Sequence, residues 1–272
     1  MHGLVQAYLE RRDHATVVTR QLARYPLRLL EPRRPVGYSG ALVYIGMVAG
    51  GVQEGDRLDL ELELGGGAEA LVTTQSASKI LTMPSGEATQ RSSFTLQAGA
   101  VLEYLPDEVI PFAGSRFTQE THVQMAPSSV LILAELLTPG RVARKERFAF
   151  RALTSRIFVQ RGGGLVMWDV ANLQPSTMRL AGAAMLGGRD YYGTLAVIAP
   201  RAGAALADEL HAALAEGDEI VGSASAGTEV VVARVLGTSL EKTRAALRRA
   251  WQIARSHVLG HSLSHVPGKI VF

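Results

Sequence analysis

The chain contains no cysteine among its 272 residues. Disulfides, thiolate metal sites and cysteine nucleophiles are therefore excluded. A cysteine-free composition fits a reducing compartment, so we expect a cytoplasmic protein. Aromatic residues are also few, at 6%, but 47% of the residues are hydrophobic and only 19% are charged. The chain can therefore bury a substantial core and is not disordered.

Long apolar runs and a strong net charge are absent as well. Because no stretch of about 18 apolar residues occurs, we expect no membrane span. The first 12 residues include Glu10 and lack the apolar centre of a signal peptide. The net charge is only +3, too balanced to indicate a nucleic-acid partner. The basic stretch 141–151 alternates with apolar residues, which is typical of a solvated strand face.

Sequence motifs of catalysis are not found. There is no Gly-x-Ser-x-Gly elbow. The glycine-rich segment 50–57 could bind a phosphate, but it lacks the Walker spacing and is followed by the alternating strand Leu58 to Leu64. A tight turn between strands explains it better. We therefore predict no catalytic residue and no tightly bound cofactor.

A strand–turn–strand phrase recurs along the chain. Its copies cover 62–72, 95–104 and 123–133, and a weaker copy covers 158–168. The residues before the turns are 32, 29 and 34 positions apart: Leu64, Leu96, Met125 and Val159. A near-regular period of this kind predicts a mainly β fold, an elongated, β-helical-like stack of strands and hairpins.

Two α-helices are predicted near the C-terminus. Leucines at four-residue spacing indicate the first helix at about 202–215. The second helix begins at Thr238, where Thr238 and Glu241 have the spacing of a capping box. We expect a stacked β body over 1–200 and a C-terminal α+β portion over 201–272 packed on it.

Two groups of side chains are candidates for binding chemistry. Glu103 and Glu135 interrupt apolar runs, and alternation favours a solvent-facing carboxylate over a buried, partnered one. His257, His261 and His265 are four residues apart, so they would share one helical face and reach one metal ion if the helix continued. Gly260 and Pro267 favour an earlier end and a polar tail.

Five further motifs follow one another along the chain: Tyr25 to Pro32, Gly50 to Leu58, Thr73 to Ile80, Leu105 to Ser115 and Gly140 to Glu146. In this order they resemble the motifs of the urease accessory proteins of the UreD (UreH) family. The second motif, Gly-Gly-x-x-Gly-Gly-Asp-x-Leu in the family, has Glu54 in place of a glycine. The chain also ends in Lys269-Ile270-Val271-Phe272 where the family often has Pro-Arg-Ile-Trp.

The resemblance implies a scaffold, not an enzyme. Such proteins join a UreF-like partner and a UreG-like GTPase, and the assembly delivers nickel to apo-urease, so nickel would be bound only transiently. Family members are thought to contain a polar passage for the metal. The resemblance therefore makes a set of residues candidates for this passage or for partner contacts: Asp56, Lys79, Glu103, Asp107, Glu135 and Arg141.

Two alternatives remain open. A β-solenoid enzyme acting on polysaccharide would need paired carboxylates across a groove. A free-standing protein for divalent metals would depend on the C-terminal histidines.

Overall fold

The computed structural model describes residues 1–34, 38–215 and 219–263. These ranges form two β-sheets and two α-helices. The first sheet contains β1 (His2–Arg12), β2 (Ala15–Arg24), β5 (Arg57–Leu64), β8 (Ala88–Leu96), β11 (Arg116–Met125), β13 (Ala152–Arg161) and β14 (Gly164–Leu173). The second contains β3 (Leu27–Leu29), β4 (Ala41–Met47), β6 (Glu69–Thr74), β7 (Ser78–Ile80), β9 (Val101–Tyr104), β10 (Val109–Pro111), β12 (Val130–Leu137), β15 (Tyr191–Ile198), β16 (Ile220–Gly227) and β17 (Val230–Gly237). The helices are α1 (Ala204–Leu214) and α2 (Leu240–Leu259).

Both sheets have parallel centres and antiparallel ends. The first sheet has the order β14-β13-β11-β8-β5-β1-β2, in which β1, β5, β8, β11 and β13 pair in parallel. The second has the order β16-β17-β15-β12-β9-β6-β4-β3, in which β4, β6, β9 and β12 are parallel. The mainly β, solenoid-like stack and the two C-terminal helices are therefore confirmed.

The repeated phrase is an arch between the sheets, not a hairpin, in its first three copies. β5 leads through its turn to β6 in the opposite sheet, and the next two copies repeat this step with β8 to β9 and β11 to β12. Leu64 pairs with Leu96 and Leu96 pairs with Met125, so the predicted repeat positions do stack in register. The backbone N–H and C=O groups of each strand bond to the equivalent strand of the next copy.

The fourth copy differs and corrects the prediction in two ways. β13 and β14 form a true antiparallel hairpin inside the first sheet. Met125 pairs with Arg161, two residues beyond Val159, so Val159 is not the equivalent position. The hairpin ends the arch series because its second strand does not cross to the other sheet.

The central strands of the second sheet are buried on both faces. One face packs against the first sheet through a continuous apolar core. The other face is covered by α1 and α2, which form a second core with it. All eight residues of β12 are buried, which explains why this strand reads as an uninterrupted apolar run.

Other local predictions have mixed outcomes. Sequence analysis missed β1, although Val5, Ala7 and Leu9 alternate with polar residues and are buried. The basic stretch 141–151 is not a strand, since it begins as a 3-10 turn and β13 starts only at Ala152. The second helix is capped by Ser239, one residue after the predicted start, because the Ser239 hydroxyl accepts the Lys242 N–H.

The C-terminal portion continues the second sheet. β16 and β17 extend it beyond β15, and α2 packs on β12, β15 and β17. The boundary at residue 200 stays a prediction. Among the described residues, no helix is long and apolar enough to cross a bilayer.

Replacing a ring in the core between the sheets tests their packing. Phe94 is buried and contacts Tyr104 edge to face, with ring centroids 4.9 Å apart. We expect Phe94→Ala to lower the free energy of unfolding by about 3–5 kcal/mol, because it leaves a cavity. Thr95→Ala, at the exposed neighbouring position of β8, is the control. Similar denaturation midpoints for the two variants would contradict the described core.

Candidate functional site

Two rows of polar side chains face each other between the sheets. In the first sheet Gln90, Gln119 and Ser155 are paired neighbours on β8, β11 and β13. In the second sheet Glu135 pairs with Thr194, and Thr194 pairs with Arg234. Each row follows from the strand register, which places equivalent residues of successive strands side by side. The rows therefore form a polar layer within an otherwise apolar core.

Glu135 is the carboxylate at the centre of this layer. Its side chain is 9% exposed. One oxygen, Oε1, accepts hydrogen bonds from the Gln119 amide and the Ser155 hydroxyl, both at 2.5 Å. Burial raises the pKa of Glu135 above its usual value, and these two hydrogen bonds oppose the shift. The expectation of a solvent-facing carboxylate is wrong here, because the strand is buried on both faces.

The cationic member of this layer, Arg234, is already engaged by other side chains. Arg234 donates to both oxygens of Asp169, at 2.6 and 3.2 Å, and to the hydroxyl of Tyr192. The Asp169 contact raises the pKa of Arg234, so the guanidinium stays charged. Asp169 itself contributes to the raised pKa of Glu135. Glu135 is thus held by neutral donors, and within the described part of the chain it has no ion pair of its own.

A surface cleft and a small cavity lead toward Glu135. The cleft has a volume of about 380 Å³ and lies between the glycine-rich loop 49–52 and residues 74–79. The cavity, of about 30 Å³, is bordered by Asp107, Gln119 and Glu135. It is large enough for a water molecule or a small ion. Both spaces share the lining residues Thr74, Ser78, Gln90 and Tyr104.

Three of the predicted residues therefore gather here. Lys79 lines the outer cleft, and Asp107 and Glu135 line the inner cavity. The Asp107 backbone N–H donates to the Thr74 hydroxyl at 2.9 Å, which joins the loop after β9 to the end of β6. Carboxylate, amide and hydroxyl oxygens suit weak, exchangeable contact with a divalent ion.

Glu103 lies on the opposite face of the second sheet. It is completely buried and receives the Arg255 Nε–H at 3.0 Å and the Trp251 indole N–H at 2.6 Å. Burial raises its pKa, while the Arg255 charge opposes the shift. The expectation of a solvated side chain is wrong. This buried ion pair attaches α2 to the sheet and is separated from Glu135 by the sheet itself.

Asp56 and Arg141 stabilise loops. The buried Asp56 carboxylate accepts the Gln53 backbone N–H at 2.8 Å and the Met1 ammonium at 2.7 Å. Arg141 holds Glu146 through two hydrogen bonds, one of 2.7 Å, and lies 3.8 Å from the Phe112 ring centroid. Neither residue lines the cleft or the cavity.

Glu54, which replaces a glycine of the family motif, holds two loops together. Its Oε1 accepts the Gly86 N–H at 2.5 Å and the Ser85 hydroxyl at 3.1 Å, and these bonds lower its pKa. The left-handed turn conformation is at Gly55, with φ 78°. A side chain is therefore tolerated at position 54, and it fastens this loop to the turn at 84–87.

His257 and His261 do not share a helical face. α2 ends at Leu259 with Gly260 in the left-handed conformation. His257 contacts Glu209 at 3.2 Å, whereas His261 lies after the helix and approaches Arg255. His265 lies outside the described residues. In the described ranges, no three histidine or carboxylate side chains gather as metal ligands, and metal binding by the tail stays a prediction.

Sequence reasoning missed Gln90, Gln119, Ser155 and Arg234. The sequence did contain a signal, because each of these residues is at a position that alternates in phase with the core-facing residues of its strand. In β11, for example, Phe117, Val123 and Met125 are buried at odd positions and Gln119 interrupts the series. The period-2 alternation of a strand therefore predicts that these polar side chains face the core.

The fold and the polar layer define a β-solenoid-like protein with a buried, hydrogen-bonded polar interior and helices on one outer face. The chain belongs to the UreD family: the family model for the UreD urease accessory protein matches residues 1–267. It is 33% identical over 263 residues to the urease accessory protein UreD of Haloarcula marismortui, covering 94% of this chain and 87% of that protein. It is 39% identical over 239 residues to the UreD of Sorangium cellulosum, covering 86% of this chain and 75% of that protein.

The buried ion pair can be tested by unfolding. We expect Arg255→Met to lower the free energy of unfolding by about 3–5 kcal/mol, because it leaves the Glu103 charge without its partner. Glu103→Leu/Arg255→Met should recover part of that loss in denaturant titrations. Removing the exposed pair Glu10 and Arg12 with alanines should cost at most about 1 kcal/mol. A cost for Arg255→Met no larger than this control would contradict the anchoring role.

The raised pKa of Glu135 predicts a pH effect. Because the folded protein holds this proton more tightly than the unfolded chain, Glu135 contributes stability that falls as the pH rises from about 4.5 through the raised value. We expect Glu135→Gln to gain stability relative to the unchanged protein over that window. Melting temperatures across a pH series measure it, with Glu61→Gln on the outer face of β5 as the control. Parallel pH profiles for the unchanged protein and Glu135→Gln would contradict this.

Proposed function

We propose that this chain is a non-catalytic scaffold of urease maturation that acts with UreF-like and UreG-like partners to deliver nickel to apo-urease. Membership of the UreD family supports a role in urease maturation. The partners, the nickel and a cytoplasmic location are parts of the proposal. The cysteine-free composition is compatible with that location.

The observation that carries the nickel part is the position of Glu135. A buried carboxylate with neutral donors, beside a cavity that adjoins a surface cleft, can accept a passing cation without holding it tightly. In contrast, the charge of Glu103 is already neutralised by Arg255. We therefore place Lys79, Asp107 and Glu135 along the proposed route and assign Asp56, Glu103 and Arg141 to its framework.

Exposed apolar side chains support a role in an assembly. On the edge strand β14, Trp168 is 67% exposed and Leu165 is 55% exposed, and Val170 lies beside them. Apolar groups of this size at a sheet edge are typical of surfaces that contact other proteins.

Co-expression tests the scaffold. The tagged chain would be produced with UreF-like and UreG-like proteins and apo-urease subunits, then purified and passed through size exclusion. We expect a co-eluting complex and urease activity that depends on the chain. A chain that elutes alone and leaves urease activity unchanged would contradict the proposal.

The nickel route is tested separately within that complex. We expect Glu135→Gln to lower the nickel content and activity of urease while the complex still forms, because the amide keeps the hydrogen bonds but loses the charge. Glu61→Gln should change neither quantity. Full nickel loading with Glu135→Gln would exclude this route and leave the scaffold role standing.

A further inference from the structure

An arginine-rich region lies where the edges of the two sheets meet. β2 is the last strand of the first sheet, and residues 27–33 run along β4 as the edge of the second. Residues 16–34 contain five arginines and one carboxylate, Glu31, giving a net charge of +4, whereas the whole chain has +3. This stretch is therefore strongly basic. The five residues are Arg20, Arg24, Arg28, Arg33 and Arg34.

These arginines are available for a ligand. All five are exposed. None has a carboxylate partner among the described residues, and Arg20 lies over the Tyr8 ring, 4.6 Å from its centroid. On the neighbouring strand β1, Arg11 and Arg12 do pair with acidic side chains. The five exposed arginines therefore carry charges that an acidic partner would neutralise.

A groove runs between the two edges. Its volume is about 370 Å³, and it is lined by Thr16 to Gln21 of β2 on one side and by Pro32 to Arg34 on the other. Arg20, Arg33 and Arg34 all border it. Val17 and Val18 add half-buried apolar surface. The groove thus combines an extended shape, positive charge and some apolar contact.

The backbone of β2 is open on the groove side. Within the described ranges β2 pairs only with β1, and its backbone makes one further bond, from the Thr16 N–H to the Ser39 carbonyl at 3.0 Å. An unpaired strand edge is a template for another strand. A second copy of this edge would be repelled by its own arginines, so the charge selects an acidic strand.

We infer that this groove binds an extended acidic segment of a partner protein, which adds as a strand to β2 while its carboxylates pair with Arg20, Arg33 and Arg34. Main-chain hydrogen bonds would supply affinity and the arginines would supply selectivity. The inference does not depend on nickel delivery, since it concerns the opposite end of the first sheet from β14.

Fluorescence anisotropy with the full chain tests this. The probe is a labelled peptide of alternating Glu and Thr with ten residues, the length of β2. We expect saturable binding that weakens as salt is raised. Arg20→Glu/Arg33→Glu/Arg34→Glu should weaken binding by about tenfold or more. The control Arg91→Glu/Arg116→Glu/Arg201→Glu changes charge equally at exposed positions elsewhere and should bind the probe more tightly than the groove variant.

Two further probes separate strand addition from simple attraction of anions, and they use the unchanged protein. The same peptide with alternate backbone nitrogens methylated keeps its charges but cannot complete the strand pairing, so we expect clearly weaker binding. An oligothymidylate of ten nucleotides tests nucleic acid as the occupant. Equal binding of the methylated peptide, tighter binding of the oligonucleotide, or equal losses in both arginine variants would overturn the inference.

Discussion

The burial of the central strands of the second sheet on both faces is the constraint on which the rest of the structure depends. The first sheet covers one face and the two helices cover the other, so all eight residues of β12 are buried. A charge on these central strands has little access to water and must find a partner inside the protein. The two buried glutamates, Glu103 and Glu135, are both consequences of this arrangement.

The two faces meet this requirement differently. Toward the helices, Glu103 is bonded to Trp251 and paired with Arg255, so its charge is already compensated. Toward the first sheet, the hydrogen-bond donors to Glu135 among the described residues are neutral, Gln119 and Ser155. The neighbouring cation, Arg234, is held by Asp169. One face is thus closed and structural, whereas the other keeps a carboxylate that can still respond to a positive ion.

The arch architecture also determines where the surface is open. Each arch satisfies its strands through the next copy, so in the described part of the chain the unpaired strand edges lie at the ends of the sheets. At one end of the first sheet, β14 exposes Trp168 and other apolar groups. At the other end, β2 is bordered by arginines that have no carboxylate partner among the described residues. Two ends with different chemistry suit a protein that meets more than one partner.

The sequence by itself determined the mainly β stack, its repeat and the C-terminal helices, because strand alternation, turn residues and helical leucine spacing are local signals. It also carried the five ordered motifs that indicated the UreD family. Only the tertiary structure decided that the repeats are arches, since a strand–turn–strand pattern is the same whether the second strand folds back or crosses to another sheet.

For the candidate residues, too, local sequence signals and tertiary structure determined different properties. Alternation could not reveal that Glu103 and Glu135 are buried, because it predicts one solvent-facing side of a strand and the described strands that carry these residues have both sides buried. Their different surroundings depend on partners far away in the chain, Arg255 for Glu103 and Ser155 for Glu135. Local sequence determines which residues share a face, whereas the register between distant strands and the helices packed on them decide what each face meets.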